Sequence, residues 1–352
     1  MVNANKFLAI IALFLFAISF GSCGGDDDGG WTSSINLPKT GQTTSFATGD
    51  DGDLKRGVAW PDPRFTESGD CIADNLTGLM WTQNANLPNE TKTWQQALDY
   101  ANNLSLCSYT DWRLPNVNEL ESLVNAGQGR VSTWLNWQGF TNVQSHYYWS
   151  STTNAERTDL TWNVGMHTSY LIWLEKSDDN YVWPVRAGQS DNSDPLYPAN
   201  LWKTGQTTSY AMGDDGELKR GVAWPDPRFS VSGDCVTDNL TGLMWTQNAN
   251  LPNETKTWEQ ALDYANNLSL CGYTDWRLPN RKELLSLIDY SEYNPALAIG
   301  HPFTNVQSDI YWSSNTHANN TGVAWEVYIS SGIVYTSNKS NNHYVWPVRA
   351  GK

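Results

Sequence analysis

Acidic side chains crowd two short stretches of this sequence in matched sets. Asp50, Asp51 and Asp53 surround Gly52, and Asp214, Asp215 and Glu217 surround Gly216. Hard oxygens this close suit Ca²⁺, which takes six to eight of them at flexible angles, with Asp70, Asp74, Asp234 and Asp238 as further donors. The spacing is not that of an EF-hand loop, and Asp-Asp-Gly is equally the chemistry of a solvated turn. Calcium is one expectation and a plain turn the other. Aromatic side chains are the second chemical resource, with 19 Trp in the chain. Trp offers a flat apolar face and one N–H donor, the equipment for stacking on a sugar or anchoring a protein partner. Trp134, Trp137 and Trp173 stand in variable segments and, with Ser151, Trp162, Ser314 and Trp325 on strand-like stretches, form the expected ligand-contact set. The expected list of catalytic residues is empty. No His is shared by matching positions, and Gly-x-Ser-x-Gly, His-Glu-x-x-His and phosphate-loop patterns are missing from the sequence.

The matching positions exist because the chain contains one scaffold twice. Cys71 recurs as Cys235, Cys107 as Cys271 and Trp112 as Trp276, each 164 residues on, and Asn75–Trp94 is repeated unchanged as Asn239–Trp258. At 352 residues the chain exceeds what one core usually supports. The spacing predicts a helix from Trp94, opened by the capping box Thr93-x-x-Gln96, with Ala97, Leu98 and Ala101 on one stripe. A second helix starts after Asn116, with Glu119 reaching back to the cap. Arg113 and Glu119 are expected to serve structure rather than chemistry. Strand-like runs follow: Tyr148-Trp149-Ser150-Ser151, Thr161-Trp162-Asn163-Val164 and Val182-Trp183-Pro184-Val185, with counterparts in the second copy. The fold class is therefore α+β, two helices and a twisted antiparallel sheet in each copy. The copies differ most over residues 121–139 against 285–302, and 152–180 against 315–343. Change confined to such windows on a common frame fits binding loops.

Composition narrows the partners. A net charge of −15 argues against nucleic acid and polyanionic surfaces. Residues 1–22 read as a signal peptide, an apolar run from Phe7 to Phe20 being short for a membrane span. Gly21-Ser22-Cys23 resembles a bacterial lipoprotein signal, which makes Cys23 the lipidated residue. Residues 23–35 are a Gly- and Asp-rich tether, 36–188 the first domain, 189–199 a linker and 200–352 the second domain. Membrane contact is then through a lipid anchor only, in the cell envelope, at the outer membrane or cell surface. Export places the remaining cysteines in an oxidising compartment, so Cys71–Cys107 and Cys235–Cys271 are expected disulfides, with metal or catalytic thiols as the rival reading.

Trp94-x-x-Ala97, Cys107, the run Asp111-Trp112-Arg113-Leu114-Pro115-Asn116 with Glu119-Leu120, Tyr148-Trp149-Ser150-Ser151 and the closing Val185-Arg186 resemble the Lcl C-terminal domain. Both copies carry these marks. The element order is also similar to C-type-lectin-like folds, and the Arg-Leu-Pro stretch to formylglycine-generating enzymes. Those enzymes carry their cysteine pair late in the fold, whereas here the cysteines lie early. The resemblance implies two tandem C-type-lectin-like domains and a secreted or surface role; its collagen-like adhesin member implies glycosaminoglycan binding, which the acidic charge disfavours. The expected function is a non-catalytic surface binding module for a glycan or a surface protein. The alternatives are a glycan-directed or oxidative enzyme in the same cleft, or a structural envelope protein. Oligomeric state is not legible.

Overall fold

In the computed structural model, residues 35–187 and 197–351 are described; Cys23, the signal peptide, most of the tether and most of the linker lie outside them. The first copy runs α1 (Asp51–Leu54), β1 (Phe65–Ser68), β2 (Cys71–Asp74), β3 (Leu79–Thr82), α2 (Trp94–Asn102), α3 (Val117–Ser122), α4 (Val131–Trp137), β4 (Tyr147–Thr153), β5 (Leu160–Gly165), β6 (Leu171–Glu175) and β7 (Val185–Ala187). The second runs α5 (Asp215–Leu218), β8 (Phe229–Ser232), β9 (Cys235–Asp238), β10 (Leu243–Thr246), α6 (Trp258–Asn266), α7 (Arg281–Leu287), β11 (Ile310–Thr316), β12 (Val323–Tyr328), β13 (Val334–Asn338) and β14 (Val348–Ala350).

The predicted capping boxes form at α2, α3, α6 and α7. Each satisfies backbone donors that the first helical turn leaves unpaired. Helix α4 has no counterpart in the second copy and was not expected; its first residue is preceded by Arg130, which provides no side-chain cap. Strands form where β-branched and aromatic residues concentrate, and every strand pair is antiparallel. Each copy has a four-stranded sheet, β1-β2-β3-β7 in one and β14-β10-β9-β8 in the other. The single sheet expected per copy is thus divided between this and a second layer.

That second layer is shared. β4, β5 and β6 continue through β6–β13 into β13, β12 and β11 as one six-stranded sheet. The join is the pairing of Leu171 with Val334, both fully buried. One core cluster runs through both copies, from Trp81 and Trp162 to Trp325 and Trp346.

The abundance of Trp is explained locally. Trp94 Nε1 donates to Ser150 O, Trp149 Nε1 to Lys92 O and Trp183 Nε1 to Thr82 O, and Trp258, Trp312 and Trp346 repeat this. Each indole fills core volume while its one donor ties a strand or loop in place. Both expected disulfides are present, each with a Cα–Cα distance of 6.5 Å, joining β2 or β9 to the turn after α2 or α6.

Candidate ligand cleft at the junction of the repeats

The acidic triplets sit in arms that cross to the other copy. Asp50 caps α1, its carboxylate accepting from the backbone N–H groups of Phe46, Ala47 and Asp53, while Asp53 accepts from Gly49. Asp214 and Glu217 repeat this. Asp51 takes hydrogen bonds from Thr40 and, at 2.7 Å, from Asn315 of the second copy. Asp215 takes them from Thr204 and, at 2.8 Å, from Thr152 of the first. Among the described residues no group of three or more His, Cys, Asp or Glu side chains is arranged to hold a metal ion. Burial, above all, pushes Asp51 up to about 6 and Asp215 up to about 7. The same face holds the bidentate pairs Arg113–Glu119 and Arg277–Glu283, with both contacts of each pair at 2.6–2.7 Å. Glu119 also accepts from Asn116 N, so one carboxylate caps the helix and fixes the arginine. Ser151 and Ser314 lie at this junction, buried, each donating its backbone N–H at 2.7 Å to the carbonyl of Pro115 or Pro279.

The tryptophans of the expected contact set separate. Trp134, in α4, is packed in the core against Trp60 and Phe65, while Trp137 at the end of the same helix is 75% exposed. The expectation of loop positions for Trp134, Trp137 and Trp173 is corrected: the first two are helical, α4 turning one inward and the other outward, and Trp173 lies in strand β6. Trp325 is buried under the Arg281 guanidinium, 4.4 Å from its ring, and beside His317. Trp162 is equally buried but borders a cleft.

Trp162 and Trp173 are cross-strand partners on β5 and β6, so their side chains share one face of the sheet. Tyr290 from the second copy meets Trp162 edge-on at 5.2 Å. An aromatic row thus rises from buried Tyr290 through Trp162 to Trp173, which is 38% exposed. This row lines a cleft of about 320 Å³. Its first wall is Asn154, Ala155 and Glu156 at the β4–β5 turn. Its second is Glu292, Tyr293 and Asn294, and its third Tyr328, Ser330, Ser331 and Ile333 at the β12–β13 turn. Every lining residue falls within a window where the two copies diverge. Tyr290, Tyr293 and Tyr328 were not among the expected contacts; their placement depends on the pairing of the two copies, for which a linear sequence has no marker. Their signal was membership of the divergent windows.

The equivalent place on the other side is built from different residues. Gly129 stands where Tyr293 does, and a Cβ there would meet the Asn319 side chain, which donates at 2.8 Å to Gly129 O. Thr336 replaces Trp173 and takes a hydrogen-bond contact with Tyr170 at 3.1 Å. Tyr170 itself stands edge-on to Trp325 at 5.9 Å. Two shallower hollows, about 420 and 500 Å³, repeat each other beside α2 and α6 and belong to the common scaffold.

The family model of the Lcl C-terminal domain matches residues 70–186 and again 234–349, and the chain belongs to that family, with two copies in tandem. No curated protein matches the chain.

Proposed function

We propose that this chain is a non-catalytic binding module that takes a glycan in the cleft between its two repeats. The observation that carries this is the cleft's lining: every residue comes from the segments in which two otherwise near-identical copies differ, and the half-exposed Trp173 stands at its mouth. A rigid frame presenting divergent loops is the usual arrangement of a recognition site. Trp faces complement the apolar faces of sugar rings, and the amides and hydroxyls of Asn294, Ser330 and Ser331 suit their hydroxyl groups. The lipoprotein-like start of the sequence agrees with a module held at the cell envelope through Cys23, where glycans are abundant. Screening the protein on a glycan array beside Trp173→Ala tests the reading. Specific binding that Trp173→Ala abolishes is expected. Binding that survives both Trp173→Ala and replacement of residues 152–180 by 315–343 places the site elsewhere.

A further inference from the structure

Charge around the cleft is one-sided. Its lining contains two carboxylates, Glu156 from the first repeat and Glu292 from the second, and no Lys, Arg or His. Neither makes an ion pair among the described residues: the adjacent Arg157 is engaged by Asp159. Burial, then the neighbouring Asp289 carboxylate, push the Glu292 carboxyl above its ordinary range. Behind Tyr290 lie Glu121, Arg281 and Lys282, where Glu121 salt-bridges both cations at 3.3 and 2.8 Å. Those cations are therefore committed, and the tyrosine hydroxyl, itself buried and without a hydrogen-bond partner, feels Glu121 ahead of Arg281.

The other half of the molecule shows what such an aromatic site accepts. Trp325 is the counterpart of Trp162, and it carries the Arg281 guanidinium over its ring at 4.4 Å. The first repeat has Val117 at the position of Arg281. Trp162 thus lacks the internal cation that its twin has; Tyr290 packs edge-on against it instead, and the cleft lies beside the pair. A cation over an aromatic face is attracted by the ring quadrupole, and more so where water is excluded.

We propose that the cleft selects a saccharide bearing a protonated amine, an amino sugar of the glucosamine type, with the ammonium set between Glu156 and Glu292 and the ring against Trp173. This rests on the cleft being the binding site. The cavity is at the small end of ligand sites, which span roughly 300–1,000 Å³, and has room for a mono- or disaccharide unit. The same carboxylates exclude sulfated and uronate sugars.

Calorimetry of the full chain with a glucosamine disaccharide, its N-acetylated form, a sulfated disaccharide and Nα-acetyl-lysinamide tests it. The free amino sugar is expected to bind at least about tenfold tighter than the other three, the worth of one hydrogen bond to a charged group. Glu156→Gln and Glu292→Gln should each remove most of that preference while the fold melts unchanged. Equal affinity for the amine and its N-acetyl form, both lost in Trp173→Ala, overturns the amine but keeps the site. Tighter binding of acetyl-lysinamide than of the sugar overturns the sugar scaffold. Binding of none of the four, or binding indifferent to Trp173→Ala, overturns the proposal, and the latter overturns the cleft reading with it.

Discussion

Thr152 of the first repeat donates a 2.8 Å hydrogen bond to Asp215 of the second, and Asn315 of the second donates one of 2.7 Å to Asp51 of the first. The segment that opens each copy is therefore built into the other. Gln42 Oε1 accepts from the backbone of Thr316, and Gln206 Oε1 from that of Thr153. The Lys339 ammonium lies over Trp258 of its own copy and Phe46 of the other, and Lys176 lies over Trp94 and Tyr210 in the same way.

These buried carboxylates make the junction pH-sensitive. Asp51 and Asp215 both sit above the ordinary carboxylate value of 3.8, at about 6 and about 7. Their neutral forms suit the fold, so their contribution is complete below about pH 4 and is lost as pH rises through 6 and then 7. The double variant Asp51→Asn, Asp215→Asn keeps an oxygen acceptor and no longer ionises. Its Tm should exceed the wild type's at pH 8 by a few degrees, about 1–3 kcal/mol, with the gap closing toward pH 5. Calorimetric melts at both pH values check this; a gap independent of pH refutes it.

A shared sheet and a shared core predict joint unfolding. The whole chain should melt in a single calorimetric transition, with calorimetric and van't Hoff enthalpies agreeing. Val334→Asp, placed at the β6–β13 join, should lower that transition for both repeats together. Two resolved transitions would show that the junction contributes little.

Glu121 is the sole carboxylate salt-bridged to Arg281 and Lys282 among the described residues. Breaking a buried pair by removing one partner is costlier than the pair is worth. Glu121→Gln should destabilise by about 3–5 kcal/mol, read by urea denaturation, and the triple replacement Glu121→Leu, Arg281→Val, Lys282→Asn should recover part of it. The last two changes copy the residues found at 117 and 118 of the first repeat.

The two disulfides each span 36 residues. Cys71→Ser with Cys107→Ser should cost about 3–4 kcal/mol in the chain-entropy account. The matching pair at 235 and 271 should cost a similar amount, and denaturation of each variant without reductant measures both. A negligible change would mean that the β2 and α2 contacts alone hold the loop closed.

The sequence disclosed whatever is settled within a few residues. Asn116 and Glu119 cap α3 because their side chains need only reach each other, and the cysteine pairs are legible from their matched positions. Helix α4 was missed because Arg130 gives no capping signal ahead of it. The crossing arms were missed for a different reason. Thr40, Gln42 and Asp51 would look the same whichever copy they served, and nothing along β6 or β13 records that their edges meet. Trp173 stands out in the sequence as an unmatched aromatic. Tyr290 and Tyr293 become its neighbours only once the copies are joined.

The Leu171–Val334 join also bears on dilution. A site assembled from two separate chains would fall apart as the protein thinned out, with its affinity tied to how many molecules were present. Here both halves are encoded in one polypeptide, so the partner for each half is always supplied at a fixed local concentration. A single molecule carries a complete cleft however sparse its neighbours. Because the halves are separate stretches of sequence, one wall can also change without altering the other.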